Sequence, residues 1–241
     1  MPTGPNRAAS TRRDATREAI LEAGQRCFAR DGYRRTALDR VAREAGISRA
    51  ALYLHFANKE QLFRALVGEL HARTLAEASA AAQGAGPLAE RVTAVLIAKT
   101  GPFFDLLRGS EHAEEFVGEN HRLCGELSGD ASAKHARLLA RVLTAAAAAG
   151  EIALRGLSAG DAAELLLATA EGIKDRGRTT LSPRGYRRRL GQAVRIVLAG
   201  LAPARQPAGS TEARRTTPRR ISSSDNEPWP RSSSARRGRV R

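Results

Sequence analysis

Cysteine is almost missing from this chain. The two present, Cys27 and Cys124, lie far apart and in no CxxC spacing, which excludes a disulfide framework and a zinc knuckle and fits a reducing compartment. Long apolar runs are missing too. No stretch approaches the roughly 20 apolar residues that cross a bilayer, and the opening MPTGPNRAASTRRDA lacks the apolar segment of a signal peptide, so no membrane association and a cytoplasmic location are expected. There is no nucleophile elbow and no glycine-rich phosphate loop, so no enzyme is expected. His112, His121 and His135 with Glu115 and Glu119 hold neither the i, i+4 pair of a helical metal site nor a loop clamp, so no metal and no cofactor are expected. Acidic residues are the minority: 25 Asp and Glu stand against 40 Lys and Arg, a net charge of +15. A balance this basic favours a polyanionic partner, nucleic acid before an anionic membrane. Lysine itself is scarce, four against 36 arginines.

What the chain does have is concentrated in residues 36–59, TALDRVAREAGISRAALYLHFANK. The apolar spacing gives two short helices and a tight turn. Thr36 has the hydroxyl of an N-cap, and Leu38, Val41, Ala42 and Ala45 then share one face. Gly46 can end that helix in the left-handed conformation, with Ile47 plugging the gap behind it. Ser48 is a second N-cap, opening a helix that turns Ala51, Leu52 and Phe56 inward and leaves Arg49, Ala50, Tyr53 and His55 outside. A small residue, Ala42, four positions before Gly46 allows the two helices to cross closely. That pattern is a helix-turn-helix, in which the second helix enters the major groove by its amino end and the first crosses the phosphate backbone. Thr36 would then serve both as cap and as phosphate contact.

From about Thr16 to Phe63 the chain resembles the DNA-binding region of TetR-family transcriptional regulators. The resemblance rests on Thr36, on Ala45-Gly46-Ile47-Ser48, on Leu52-Tyr53-Leu54-His55-Phe56 and on Asn58-Lys59-Glu60. It implies base or phosphate contacts by Thr36, Ser48, Arg49, Ala50, Tyr53, His55 and Lys59. It also implies a regulator, more often a repressor than an activator, whose helical second half binds an effector.

Taken in order, residues 1–13 read as a disordered basic arm in which Arg12 and Arg13 either reach a minor groove or are merely solvated. Residues 14–73 form the DNA-binding head, with its motif at 36–55. A first helix runs over 14–31, and Ile20, Phe28, Leu38, Val41, Leu52 and Phe56 make the head's core. Asn58 caps a long helix to about Ala82, placed to act as a lever between the head and the rest. Residues 74–202 read as a helical domain for ligand binding and dimerisation. In it, Gly101-Pro102 ends or kinks a helix begun at Leu88, and Ser110 caps another over 111–127. Further helices follow over 130–149, from Leu157 to about Lys174, and from Ser182-Pro183 to about Leu201. Phe103 and Phe104 are either plain core or cavity wall, and Phe116 and His121 are the other candidates for ligand contact. Two helices rich in alanine and leucine can pair with their own copies across a twofold axis, giving a homodimer through a four-helix bundle. Residues 203–241 carry ten Arg against three acids and read as a disordered tail rich in Arg, Ser and Pro.

The expected protein is all-α, a three-helix helix-turn-helix domain followed by a helical bundle. It would bind a double-stranded, near-palindromic operator as a homodimer and answer an unknown small-molecule effector. A basic architectural protein that coats DNA without an operator is the alternative.

Overall fold

The computed structural model describes residues 5–203, with side chains from Arg12 onward. The regular elements among them are eight helices: α1 (Pro5–Asp31), α2 (Leu38–Glu44), α3 (Arg49–Tyr53), α4 (Lys59–Ala82), α5 (Leu88–Leu107), α6 (Ala113–Ala148), α7 (Ala159–Gly177) and α8 (Pro183–Gly200). Most ends follow from local chemistry. Ser48, Asn58, Ser158 and Ser182 each accept a backbone amide from the first turn of the helix they precede, and Ser158 with Asp161 completes a reciprocal capping box.

Three expectations need correction. The basic arm is helical from Pro5 onward, because proline suits a first helical position and the alanines and arginines after it are good helix formers. Arg12 and Arg13 therefore lie on α1, and the Thr16 hydroxyl donates back to the Arg12 carbonyl at 2.9 Å. Gly101-Pro102 does not end α5, which runs on to Leu107 with Pro102 inside it. The turn beyond the proline is anchored by burial of Phe104 and Leu107. The helices expected at 111–127 and 130–149 are merged in α6, which begins after His112 rather than at a Ser110 cap because the Ser110 hydroxyl is given to the Ala29 carbonyl, and whose one interruption is a non-helical backbone at Cys124 (φ −128°, ψ 15°). The tail lies outside the described residues beyond 203.

Two hydrophobic cores hold the helices. The first contains all six side chains expected in the head and adds Leu62, Phe63, Leu66 and Val67 from α4. It is closed by Leu107 of α5 and by Ala113, Phe116, Leu123 and Cys124 of α6. Phe63 is its hub, with ring centroids 5.5 Å from Phe28, 5.1 Å from Tyr33 and 5.1 Å from Phe116. The second core gathers α5, the later part of α6, α7 and α8 around Leu96, Phe104, Leu139, Leu143, Leu166 and Leu190. The expected division at 73/74 falls inside the unbroken α4, which contributes to both cores.

Polar contacts reinforce this shared wall at the α1–α2 turn. Gly32 there is left-handed (φ +78°), and the Arg34 amide donates to Glu115 Oε1 of α6 at 2.7 Å. Ser110 donates to the Ala29 carbonyl at 3.1 Å, and Arg64 of α4 donates to the Leu123 carbonyl at 2.6 Å beside the α6 interruption.

A β-carbon at Gly46 (φ +69°) would meet nothing within 4 Å, so Gly46→Ala should cost only the left-handed conformation, about 1–2 kcal/mol. A β-carbon at Gly32 would also run into the Glu115 carboxylate, so Gly32→Ala should cost more. Urea unfolding midpoints of the two variants test that order.

Candidate nucleic-acid interface and helical-half cavity

The turn between α2 and α3 closes with two hydrogen bonds. The Gly46 amide donates to the Arg43 carbonyl at 3.2 Å and the Ile47 amide to the Ala42 carbonyl at 3.0 Å, the paired pattern of a helix ended by a left-handed residue. The chain leaves that turn at Ser48, whose Oγ accepts the Ala51 amide at 3.1 Å. Only Leu52 of α3 is buried. Ser48, Arg49, Ala50 and Tyr53 are exposed, His55 just beyond is half-buried, and Leu54 is 79% exposed. A five-residue helix is thus held by one apolar side chain and turns its amino end outward.

Arg49 is the best-defined group on that face. Its Nη1 lies 2.8 Å from Asp39 Oδ2 of α2, and its guanidinium sits 5.4 Å from the centre of the Tyr53 ring. Both partners of the ion pair are well exposed, so it adds little stability and mainly orients the guanidinium. Arg34, Arg35, Arg40 and Arg43 are exposed on the neighbouring surface of the turn and α2. Part of the positive charge nearby is spent internally. Arg26 and Arg30 both hold Glu44, whose carboxyl their hydrogen bonds hold down to about 2, and Arg40 pairs with Asp31 at 3.2 Å.

Two residues expected at this interface have other work. Thr36 does not cap α2, whose N-cap is Ala37 with no side-chain bond. The Thr36 side chain is turned the other way, 2% exposed, with its hydroxyl 2.6 Å from the Gly32 carbonyl and 3.3 Å from that of Cys27. It tidies the end of α1 and offers no hydroxyl to a phosphate. Lys59 is half-buried. Its Nζ donates to the Tyr33 carbonyl at 2.8 Å and the Arg34 carbonyl at 3.0 Å and lies 4.5 Å from the centre of the Tyr33 ring. Lysine at this position straps the α1–α2 turn to α4.

The four side chains expected to meet a ligand are not brought together. Phe104 is fully buried and stacked on Tyr186 at 4.3 Å in the second core, where Tyr186 and Thr100 share a hydrogen bond. Phe116 belongs to the head core, and His121 is exposed on α6. Their helical spacing was compatible with a cavity, but which face turns inward is decided by neighbouring helices. Phe103 alone borders a cavity of about 140 Å³, partly open to solvent, between α4, α5, α6 and α7.

Most of the rest of that cavity's lining escaped the sequence reading. His71 comes from α4, Lys99 from α5, Asn120, Ser128, Ser132 and His135 from α6, and Glu171 and Lys174 from α7. Lys99 and Lys174 both bind the Glu171 carboxylate. Burial resists its charge, and the two ammoniums overcome that and lower its pKa. His71 Nε2 lies 3.1 Å from Ser128 Oγ, and its ring centre 5.2 Å from that of Phe103. Burial, with Lys99 and His135 adding to it, pushes the His71 pKa from 6.5 to about 4. His135, only 1% exposed, is pushed down as well, by burial first and against the pull of the Ala131 carbonyl. A signal for this cluster existed. His135 interrupts the apolar band of α6, and two of only four lysines fall within it.

An exposed short helix behind a glycine bend, on a compact all-helical head, defines a helix-turn-helix DNA-binding fold. The family model described as "Bacterial regulatory proteins, tetR family" matches residues 20–66. Over 56 residues the chain is 46% identical to the HTH-type transcriptional regulator TtgR of Pseudomonas putida, covering 23% of this chain and 27% of that protein. Over 73 residues it is 42% identical to the HTH-type transcriptional repressor AcnR of Corynebacterium diphtheriae, covering 30% and 36%. The chain thus spans about a third or less of the length of these curated relatives. Likeness to solved structures is longer. A putative TetR-family transcriptional regulator from Rhodococcus sp. aligns with a TM-score of 0.57 at 25% identity over 76% of this chain and 98% of that one. A complex of SmeT, the repressor of the Stenotrophomonas maltophilia efflux pump SmeDEF, with triclosan aligns at 0.59 and 25% over 82% and 96%. Residues 20–66 thus match the DNA-binding region of the TetR family, and over most of its length the chain is similar in fold to TetR-family regulators.

Three measurements follow from this geometry. Lys59→Met should lower stability, because two carbonyls lose their donor, whereas Arg49→Ala should leave the unfolding midpoint within about 0.5 kcal/mol of the parent. An unfolded histidine takes its proton near pH 6.5, which His71 refuses until about pH 4. Stability should therefore be highest above pH 6.5 and fall as pH drops toward 4, since there the unfolded state binds more protons. Urea midpoints at pH 7.5, 6 and 5 should show a shallower fall in His71→Gln, and an unchanged slope would contradict the assignment.

Proposed function

We propose that the protein is an effector-responsive, sequence-specific transcriptional regulator, and a repressor in the manner of the AcnR and SmeT proteins it resembles. The observation that carries this is the outward amino end of α3, with Arg49 and Tyr53 exposed on a turn that fixes their direction. Arg49 has the fork that a guanine edge or a phosphate accepts, Ala50 offers a methyl group, and Ser48 and Tyr53 offer hydroxyls to the backbone. His55 stands at the edge of the contact, and Lys59 orders the surface from behind.

The working unit is a homodimer. Leu165 of α7 is 52% exposed and Ile196 of α8 is 73% exposed, an apolar surface that a second copy can cover. Two α3 helices would then enter successive major grooves about 34–36 Å apart on a near-palindromic operator. A ligand in the helical half would bias the separation of the heads, and a coupling of about 1–3 kcal/mol changes operator affinity roughly 5- to 150-fold. Helix α4 is one path for that coupling, because Phe63 and Leu66 sit in the head core and His71 borders the cavity. The first half of α6 is another, through Glu115 and the Leu123 carbonyl. The relatives are regulators and no helix among the described residues is long and apolar enough to cross a membrane, which suits action on DNA in the cytoplasm.

Genomic fragments captured by the protein at physiological salt, followed by competition with bulk DNA, test the proposal. One sequence should be held about 10³-fold or more above bulk. Arg49→Ala and Tyr53→Ala should each lose about 1–3 kcal/mol of that preference. Equal affinity for all fragments would overturn the regulator and leave the architectural reading.

A further inference from the structure

We infer that the cavity between α4, α5, α6 and α7 is a site for a small, planar, hydroxylated monocarboxylate, of which the hydroxybenzoates are the model class. The inference rests on the reading of the helical half as effector-binding and adds the chemistry of the ligand.

Charge supplies the first half of the argument. Lys99 and Lys174 are 12% and 18% exposed and share the single carboxylate of Glu171, which leaves one positive charge in excess beside the cavity. Asp175 also approaches Lys174, at 3.4 Å, but it is 64% exposed and contributes as a weak surface partner, so the excess belongs to the buried part of the cluster. The histidines do not alter the count, because burial and Lys99 hold both His71 and His135 toward their neutral forms. Each ammonium has donors beyond the one it gives Glu171. One carboxylate on the ligand would take those donors and balance the charge.

Hydrogen bonding supplies the second half. His135 Nδ1 lies 2.8 Å from the Ala131 carbonyl, which can only accept, so Nδ1 carries the proton and neutral Nε2 is an acceptor. Nε2 is buried with no hydrogen-bond partner. The Thr74 backbone carbonyl also acts on the His135 ring, but a carbonyl can only accept and gives an unprotonated Nε2 nothing; buried polar atoms are nearly always paired, and a ligand hydroxyl would supply the missing donor. Asn120 and Ser128 answer each other at 3.4 Å, and Ser128 answers His71, so neither competes for that role.

Shape narrows the class. A volume of about 140 Å³ is close to that of a cavity that holds benzene, and the Phe103 ring beside His71 gives an unsaturated ligand a flat wall. The site also touches α4 through His71 and α6 four residues before and after the interruption at Cys124, through Asn120 and Ser128. A ligand there contacts α4 and α6, the two helices that contribute most to closing the head core.

The full-length protein, free of DNA, is titrated calorimetrically with 2-, 3- and 4-hydroxybenzoate, with benzoate, and with the uncharged hydroxybenzamides. At least one hydroxybenzoate should bind and raise the melting temperature. Its amide, lacking the charge, and benzoate, lacking the donor, should each bind about tenfold or more weakly, the scale of one hydrogen bond to a charged or buried group. Lys99→Met and Lys174→Met should weaken the carboxylate tenfold or more and bring it level with the amide. Should either variant fail to fold, the comparison of carboxylate with amide on the parent protein decides. Equal binding of acid and amide, or no binding of any isomer, would overturn the assignment. Operator release is read separately: a carboxylate that binds the free protein but leaves the DNA complex intact supports the site and refutes its role as an effector site.

Discussion

The surface proposed to face DNA depends on one backbone constraint, the left-handed residue at Gly46. The paired hydrogen bonds across that bend close α2 and aim the chain so that the next residue, Ser48, can start a new helix at once. Because α3 has only five residues, its own hydrogen bonds could not sustain it in water. It persists because the bend, the serine cap and the burial of Leu52 act together. Exposing Arg49, Ala50 and Tyr53 is the consequence of that arrangement rather than a separate design.

The second constraint is that the head does not own its whole core. Phe116, Leu123 and Cys124 of α6 close it, and Glu115 and Lys59 hold the α1–α2 turn from two other helices. A change in the helical half cannot move α6 without disturbing side chains under the DNA-binding surface. Since packed interfaces switch between discrete arrangements instead of deforming smoothly, such a shared wall suits two-state control. The interruption at Cys124 falls in the stretch of α6 that meets both the head core, through Leu123 and Cys124, and the polar cavity, through Asn120 and Ser128.

Local rules carried much of this into the sequence. The caps at Ser48 and Asn58, the Gly46 bend, the length of α4 and the six head-core residues are all decided within a few positions, and each is where its chemistry puts it. Thr36 and Lys59 were misread for the opposite reason. A threonine before a helix and a lysine after a cap have the right chemistry for phosphate, and only the fold reveals that carbonyls of the α1–α2 turn reach them first. Pro102 was read as either a stop or a kink because the tertiary anchoring of Phe104 and Leu107, which carries the helix past it, cannot be seen from the proline. The polar cavity was hidden most deeply, since His71, Lys99, His135 and Glu171 sit on four helices and look singly like solvated or core residues. Aromatic residues drew attention to Phe104 and Phe116, whereas the scarce lysines were the better guide.

The account stands or falls on α3 entering the major groove. Methylation protection of guanine N7 on a bound fragment reads that groove directly. The expected footprint is two patches of protected N7 centred about 10–10.5 base pairs apart, both lost with Arg49→Ala at unchanged fold. Uniform protection along the fragment, or none at N7 while the protein remains bound, would contradict it.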